Sequence, residues 1–392
     1  MNKLLELHYI QNFAPSNLNR DDTGAPKDAI FGGYRRARIS SQCYKKAMRD
    51  YFNKEMESMP AEAKAIRTKK ILQYLTDILV NQGVPMENAS KLVEHFLGGI
   101  GIAFEDKAEK KSQYLLFLGR SEIQGIADTI VKFQSDVRLE EKDDQREKKG
   151  KKELKKEAKA AISAEIKKEL NDKLDGGKAV DLALFGRMLA DLPGKRRDAA
   201  CQVAHPISTH IVEREFDYYT AVDDLKPDDN PSADMLGTIE FNSACMYRYL
   251  AVDLEQLAKN LGGDFDIFYK GIETFLMASA LAIPTGKQNS FAAFNYPDYY
   301  LSVVRTKTAP QNMANAFEKP ISKNEYRDSS LTCASICRFE KYWEKNEKIF
   351  GTAGNYTVLN CSDEKTKIKD EMETFDSWVK TTMEKIRKLM EG

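Results

Sequence analysis

Thr238-Ile-Glu-Phe-Asn-Ser-Ala-Cys-Met-Tyr-Arg-Tyr249 alternates with period two, and its reading decides the fold class. Side chains of a strand point to opposite faces in turn, so such a run predicts a strand within 236–250. Residues 207–219 alternate likewise. Between the two runs lies Lys226-Pro-Asp-Asp-Asn-Pro-Ser-Ala-Asp234, rich in turn formers. The three pieces together predict a long β-hairpin with an irregular tip. Residues 3–10 read as another strand, with Leu5, Leu7 and Tyr9 on one face, and Tyr299–Arg305 as a further one. Helical runs separate these strands, so the class is α+β.

Upstream, the loop Pro15-Ser-Asn-Leu-Asn-Arg-Asp-Asp-Thr-Gly24 leads to the basic stretch Phe31-Gly-Gly-Tyr-Arg-Arg-Ala-Arg38. Ser40 or Ser41 then caps a helix whose inner face is Tyr44, Ala47, Met48, Tyr51 and Phe52. Its outer face carries Lys45 and Arg49, one turn apart. Residues 62–175 are mostly helical, and Gly176-Gly177 closes them. Within that insertion, residues 138–173 hold 13 basic and 10 acidic side chains and read as solvated helices broken near Gly150. A weak apolar stripe (Leu154, Ala158, Ala161, Ile162, Ile166, Leu170) argues for a docked helix. Asp253 caps a further helix, Phe265–Ala282 is another, and helices near 322–346 and 370–390 finish the chain.

Composition bounds the function. The 392 residues suggest two or three units, and 42% hydrophobic with 10% aromatic content excludes a disordered chain. Sixty basic residues balance sixty acidic ones, which excludes a uniformly basic coat. No segment approaches the roughly 18 apolar residues of a membrane helix. Glu6 and His8 interrupt the N-terminal run, which does not read as a signal peptide. Six scattered cysteines fit a reducing compartment. The expectation is a soluble, cytoplasmic protein.

Local chemistry points away from catalysis. Cys201, His205 and His210 are close in sequence but lack a second Cys-x-x-Cys, so packing is the better reading than zinc. Cys333 and Cys337, one helical turn apart, read as small buried hydrophobes. Thr285-Gly-Lys-Gln-Asn-Ser290 resembles the end of a phosphate loop, but Leu281 replaces its first glycine and Gln288 its magnesium-binding hydroxyl. Lys287 and Gln288 on a nucleic-acid phosphate, or a plain helix C-cap, both remain open. Asp223 and Asp224 are neighbours that point to opposite faces of a strand and converge poorly on one ion.

Charge segregation is the stronger signal. Residues 14–49 carry eight cations (Arg20, Lys27, Arg35, Arg36, Arg38, Lys45, Lys46, Arg49) against three acids. Residues 201–249 carry three basic and nine acidic side chains. Ser40, Ser41, Gln42 and the glycine-flanked backbone near a helix start suit phosphate oxygens. A solvated face paired with the acidic region is the alternative.

Ser16-Asn-Leu-Asn-Arg-Asp-Asp22 and Asp28-Ala-Ile-Phe-Gly-Gly-Tyr-Arg-Arg-Ala-Arg-Ile-Ser-Ser-Gln42 are followed in order by Gly186-Arg-Met188, Asp217-Tyr-Tyr-Thr-Ala-Val-Asp-Asp-Leu225, Leu236-Gly-Thr-Ile-Glu-Phe241, Gly286-Lys-Gln288 and Asn315-Ala-Phe-Glu318. In these blocks the chain resembles the CasC family, the backbone subunits of the type I-E CRISPR surveillance complex, Cascade. The resemblance implies an RRM-like (ferredoxin-like) palm, a helical finger and a β-hairpin thumb. Its boundaries would be palm 1–60, finger 61–180, palm return 181–205, thumb 206–250 and remaining palm 251–392. It implies a non-catalytic subunit without metal or cofactor that binds CRISPR guide RNA as a head-to-tail filament, beside other Cascade subunits and target DNA paired to the guide.

By position, Arg20, Lys27, Arg38, Ser40, Gln42, Lys45 and Arg49 match the guide-backbone region. Met188, Tyr219 and Thr220 match residues around bases displaced by the thumb, with Tyr219 and Thr220 at the wedge and Met188 opposite. Lys148, Lys152, Lys155 and Lys159 recur at helical spacing in a lysine-rich part of the finger and are expected to attract target DNA. The rival reading is a metal-dependent endoribonuclease using Asp223.

Overall fold

The computed structural model describes residues 3–55, 60–105, 110–136, 162–189, 192–221, 235–350, 354–363 and 365–392. Asp223, Asp224, the hairpin tip and the finger lysines Lys148, Lys152, Lys155 and Lys159 lie outside them. In chain order the strands are β1 (Lys3–Ser16), β2 (Asp28–Phe31), β3 (Tyr34–Ala37), β4 (Ala65–Thr68), β5 (Leu116–Gly119), β6 (Cys201–Val203), β7 (Ile207–Ser208), β8 (Glu215–Ala221), β9 (Met235–Asp253), β10 (Tyr299–Thr306), β11 (Asn355–Asn360) and β12 (Glu371–Met372). The chain divides into two units: residues 1–56, 201–255 and 271–392, and residues 57–200 with 256–270.

In the first unit β1 is central, antiparallel to β10 on one side and β9 on the other, and β6 extends the sheet beyond β9. Helix α1 (Ser41–Glu55) follows β1, and helix Phe265–Leu281 joins β9 to β10. The order β10-β1-β9-β6 with these two crossovers is that of the split βαβ unit. β11 and β12 widen the sheet at the β10 edge.

Both faces of β1 are covered. On one, the Tyr9 hydroxyl meets Ser279 of helix Phe265–Leu281, and its ring lies near Trp378 of the C-terminal helix Phe375–Glu391. On the other, His8 packs among Tyr249, Phe339 and Trp343, the last two from helix Leu331–Phe350. Glu6 and His8 are therefore buried. Arg305 pairs with Glu6 at 2.6 Å, and Tyr249 donates to it at 2.5 Å. Burial, then Arg305, holds the His8 imidazole well below its usual pKa. The apolar sheet face contributed by Ile10, Tyr247, Tyr299, Leu301 and Val303 joins Ile336, Phe339 and Trp343 in one core.

The predicted hairpin is shorter at its first arm than the alternation implies. β8 pairs with the first third of β9, from Glu215↔Phe241 to Ala221↔Met235. The rest of β9 enters the central sheet, and residues 207–208 pair there with Tyr247 and Met246. Between β7 and β8 the backbone turns away from β9: Thr209 O accepts Ile321 N–H and Val212 N–H goes to Arg35 O, so one continuous arm cannot form. The hairpin β2–β3 and strand β11 are additions to the sequence expectation.

The second unit is built on helices Ile71–Asn81, Met86–Gly99 and Arg120–Phe133, with the small sheet β4–β5. Ile162, Ile166 and Leu170 are buried in its core, so helix Ala164–Lys173 is docked as its apolar stripe predicts. Among the described residues no helix is long and apolar enough to cross a membrane.

Candidate nucleic-acid interface

The start of α1 is fixed from two directions. Ser40 Oγ accepts the Cys43 N–H at 3.2 Å, making Ser40 the cap, while its own N–H donates to Asn19 Oδ1 at 2.8 Å. Lys27 N–H donates to Asn19 O, so the loop 17–27 and the helix start share one brace. Asp21 caps a turn by accepting from Thr23 and Ala25, and the Thr23 hydroxyl bond chiefly holds its carboxyl below the usual range. Arg20, exposed on this loop, lines a groove of about 580 Å³ shared with Lys46 and Asp50 of α1 and with Thr285 and Gly286.

Gly286 explains the Gly-Lys-Gln block. A Cβ there would run into the Leu18 carbonyl, so the residue permits two loops to touch. It stands five residues beyond Leu281, where the preceding helix ends, so it is not that helix's C-cap. Lys287 follows in the left-handed region (φ 52°) and is half-buried. Gln288 is buried, and its Nε2 donates to Pro284 O and Ala293 O, stapling the loop. Ser40 and Gln288 thus act inside the fold, where they set the positions of Lys45 and Lys287.

The eight cations of residues 14–49 sort into different roles. Arg36 is fully buried and donates to Ser208 O, Phe317 O and Glu318 O, tying β3 to the Asn315-Ala-Phe-Glu318 block. Arg35 pairs with Asp28, and Lys46 with Asp50. Arg214 bridges Asp28 (2.8 Å) and Glu240 (3.0 Å) at the thumb's base. Burial raises the Asp28 pKa, but the Arg35 and Arg214 bonds outweigh it and leave the carboxyl below its usual value. This cross-segment pair takes its cation from the acidic stretch and its acid from the basic one, the reverse of the charge-segregated expectation.

Lys45 and Arg49 lie half-exposed on α1 and Gln42 is exposed at its start. Their helix is held through Arg248, whose guanidinium lies 4.2 Å from the Tyr44 ring centroid and 4.9 Å from that of Tyr9. Arg248 also donates to Gln11 Oε1 at 2.6 Å and to Ser279 O. A cation between two aromatic faces in a desolvated site is worth about 2 kcal/mol or more per ring. Sequence reading missed this residue; Arg248 on the inner parity of a strand was the available signal.

Cys201, His205 and His210 do not converge. Cys201 is buried on β6, and burial pushes its thiol up to about 12. His210 Nδ1 donates to Ile211 O, so Nε2 is the acceptor for Cys245 N–H at 3.3 Å. Among the described residues no group of three or more His, Cys, Asp or Glu could hold a metal ion.

On the thumb, Tyr219 faces Gly237 across the hairpin, and its ring covers the glycine so closely that a Cβ would collide with it. Thr220 is the next residue and faces the other side, beside Phe216 and Tyr218, which are 67% and 64% exposed. The pleat thus puts Tyr219 and Thr220, both expected at the wedge, on opposite faces of the hairpin. Phe291 packs on Phe241 at 5.5 Å, joining the loop after Gly286-Lys-Gln288 to the thumb's base.

In the second unit Met188 is 74% exposed, not core filling. Its neighbours are anchored: Leu189 is fully buried, and Arg187 donates to both oxygens of buried Glu122 at 2.7–2.8 Å. Glu122 also accepts Gly119 and Gly176 N–H groups at 2.7 Å each. An apolar side chain is thus presented outward from a rigid backbone.

The chain's fold is similar to a chain of a "CRISPR RNA-guided surveillance complex, pre-nicking", with 24% identity and a TM-score of 0.82, covering 97% of this chain and 99% of that one. It is also similar to a chain of another "CRISPR RNA-guided surveillance complex", with 21% identity, a TM-score of 0.71 and the same coverages. No curated protein sequence matches. Residues 5–386, nearly the whole length, match the CT1975-like protein family, and the chain belongs to that family.

Proposed function

We propose that this chain is a CasC-type backbone subunit of a type I-E Cascade complex: it binds CRISPR guide RNA, performs no cleavage and presents the guide for pairing with target DNA. The observation that carries the reading is the likeness, over 97% of the chain, to a chain of an RNA-guided surveillance complex. The sorted basic segment supports it, since Arg20, Lys27, Arg38, Lys45 and Arg49 lie on loops and on α1, outside the covered sheet. On this reading the palm is RRM-like, copies stack head to tail in a prokaryotic cytoplasm, and finger lysines meet the target DNA. Phosphate contacts would position the guide while base pairing reads the sequence.

The test is the RNA content of the purified protein together with incubation of added RNA and magnesium. Copurifying guide-length RNA that stays intact is the expected result. Cleavage abolished by Asp223→Ala would establish the endoribonuclease instead, and protein free of RNA with no affinity for it would overturn RNA binding.

A further inference from the structure

Two aromatic rings point into solvent from the loop between Gly286-Lys287-Gln288 and β10. Phe294 is 63% exposed and Tyr296 57%. Exposure alternates along the segment: Ala293 and Pro297 are buried, and Asn295 between the rings is half-buried. Both rings therefore leave the same side of it. Phe291, earlier in the run, packs on Phe241, but neither Phe294 nor Tyr296 has a ring partner among the described residues. Their backbone is fixed at several points. Asn295 O accepts Gln11 Nε2 at 2.6 Å, and Asn295 Oδ1 accepts Ala14 N–H at 3.2 Å. Ala293 O accepts Gln288 Nε2, and Asp298 N–H donates to Ile10 O. Gln11 is buried, and its Oε1 accepts from Tyr44 of α1 and from Arg248. One amide side chain thus ties this loop to the helix that carries Lys45 and Arg49.

Rings held out by so well braced a loop cost little further ordering when something lies on them. Area and charge say what that is. Two rings at this exposure offer roughly 250 Å² of apolar surface, against the ~800 Å² per partner of a stable protein interface. The patch has the scale of single bases, whose flat faces stack on aromatic side chains. Lys287 opens the same loop, and only the turn Gln288–Phe291, about 6 Å long, separates it from the segment bearing the rings. Its ammonium makes no ion pair among the described residues. A cation beside exposed rings is the combination that holds a single strand, phosphate on one and base on the other.

We infer that Phe294 and Tyr296 form a platform for unstacked bases of the bound RNA, separate from the thumb. The inference rests on the RNA-binding reading above and adds a base-contacting surface to its phosphate contacts. A phenyl ring presents a face and reads no base edge, so the platform tolerates any sequence. Because Gln11 bonds to both the loop and α1, bases on the rings and phosphates on the helix are held in one frame. Phe291-Ala-Ala-Phe-Asn-Tyr296 carries too short a period to mark these rings in the sequence.

The experiment compares binding of a short oligouridylate with that of an abasic ribose-phosphate strand of equal length, by the full chain and by a Phe294→Ala, Tyr296→Ala double variant. The variant should lose at least about fivefold in affinity for the RNA, the lower end of one base's stacking, and less than about twofold for the abasic strand. Its log–log salt slope should equal the parent's, because no charge is removed. Phe294→Trp should keep the parent's affinity, and its emission should be quenched when RNA binds. The two native tryptophans, Trp343 and Trp378, are buried and should respond little. Unchanged RNA affinity in the double variant, or equal losses on the two strands, overturns the platform while RNA binding stands. Should the double variant fail to fold, emission of Phe294→Trp indifferent to RNA overturns it as well. Weakened self-association of RNA-free protein, with RNA affinity intact, would assign the rings to a second copy and equally overturn the proposal. Absence of any RNA binding by the parent refutes the underlying reading instead.

Discussion

The sorting of the basic segment makes a quantitative prediction for salt dependence. Eight cations at 14–49, each on a phosphate of a single strand, would give a log–log slope near −5.6, taking about 0.7 per contact. The structure removes three: Arg36 is buried on carbonyls, Arg35 is paired with Asp28 and Lys46 with Asp50. At most five remain, so this segment contributes a slope no steeper than about −3.5. Arg20→Ala, Arg38→Ala and Lys45→Ala should each flatten the measured slope by about 0.7, which is about 2.6-fold in affinity over a fourfold change in salt. Lys46→Ala and Arg35→Ala should leave it within about 0.2 of the parent, because surface pairs exchange one partner at little net cost. Fluorescence anisotropy of a labelled single-stranded RNA, titrated at several potassium chloride concentrations, reads all five variants. If Lys46→Ala and Arg35→Ala flatten the slope as much as Arg38→Ala does, the internal pairs are not what decides which cations meet phosphate, and the sorting fails.

Arg187→Met should destabilise the second unit by about 3–5 kcal/mol, because it strands the buried Glu122 carboxylate on two backbone donors. Its thermal transition should drop by about 6–20 °C. Adding Glu122→Gln should recover at least half of that loss, and a single variant costing under about 1 kcal/mol would rule the clamp out. For His8, the folded-state pKa is depressed while the unfolded chain titrates normally, so the unfolded state binds more protons at low pH. Stability should therefore fall by up to about 1.4 kcal/mol per pH unit below about pH 6.5, and His8→Gln should reduce that slope by about one proton in denaturant titrations. His205 and His210 shift in the same direction and contribute to the slope that remains in the variant; an unaltered slope in His8→Gln would exclude His8 as a contributor.

Long periodic elements were legible in the sequence. The alternation at 238–249 lies within one strand, β9, and the runs at 265–282 and 299–305 became helix Phe265–Leu281 and β10. Elements of four to six residues were not. β2 and β3 hold too few positions for a period to register, and Arg35-Arg36 reads as loop until tertiary partners are known. Direction was the other blind spot. Arg36 turns inward because Ser208, 172 residues on, and Phe317 offer carbonyls. Met188 turns outward because Arg187 and Leu189 are held on either side. Pattern reading ranks a methionine as core and an arginine as surface, and here distant bonding reverses both.

Burial of both sheet faces constrains how a nucleic acid can lie on this chain. An open four-stranded sheet offers aromatics on its free face, but here Tyr247, Tyr249 and Tyr299 are buried, and Phe339 of helix Leu331–Phe350 packs beside Tyr247 and Tyr299. Bases therefore have no platform on the sheet. What projects from it is different in kind: a loop with Arg20, helix α1 with Lys45 and Arg49, the Gly286-Lys287 loop, and a thumb whose two faces carry Tyr219 on one side and Phe216 with Tyr218 on the other. Cations and backbone loops suit phosphates, while flat apolar side chains suit unstacked bases at about 1–3 kcal/mol each. If RNA binds as proposed, its backbone follows the loops and α1, and the thumb meets its bases at intervals set by the protein rather than by sequence. The two-sided aromatic thumb extends that argument: an unstacked base on either side finds a surface, Tyr219 over Gly237 or the Phe216–Tyr218 pair. Recognition would then be of spacing and shape.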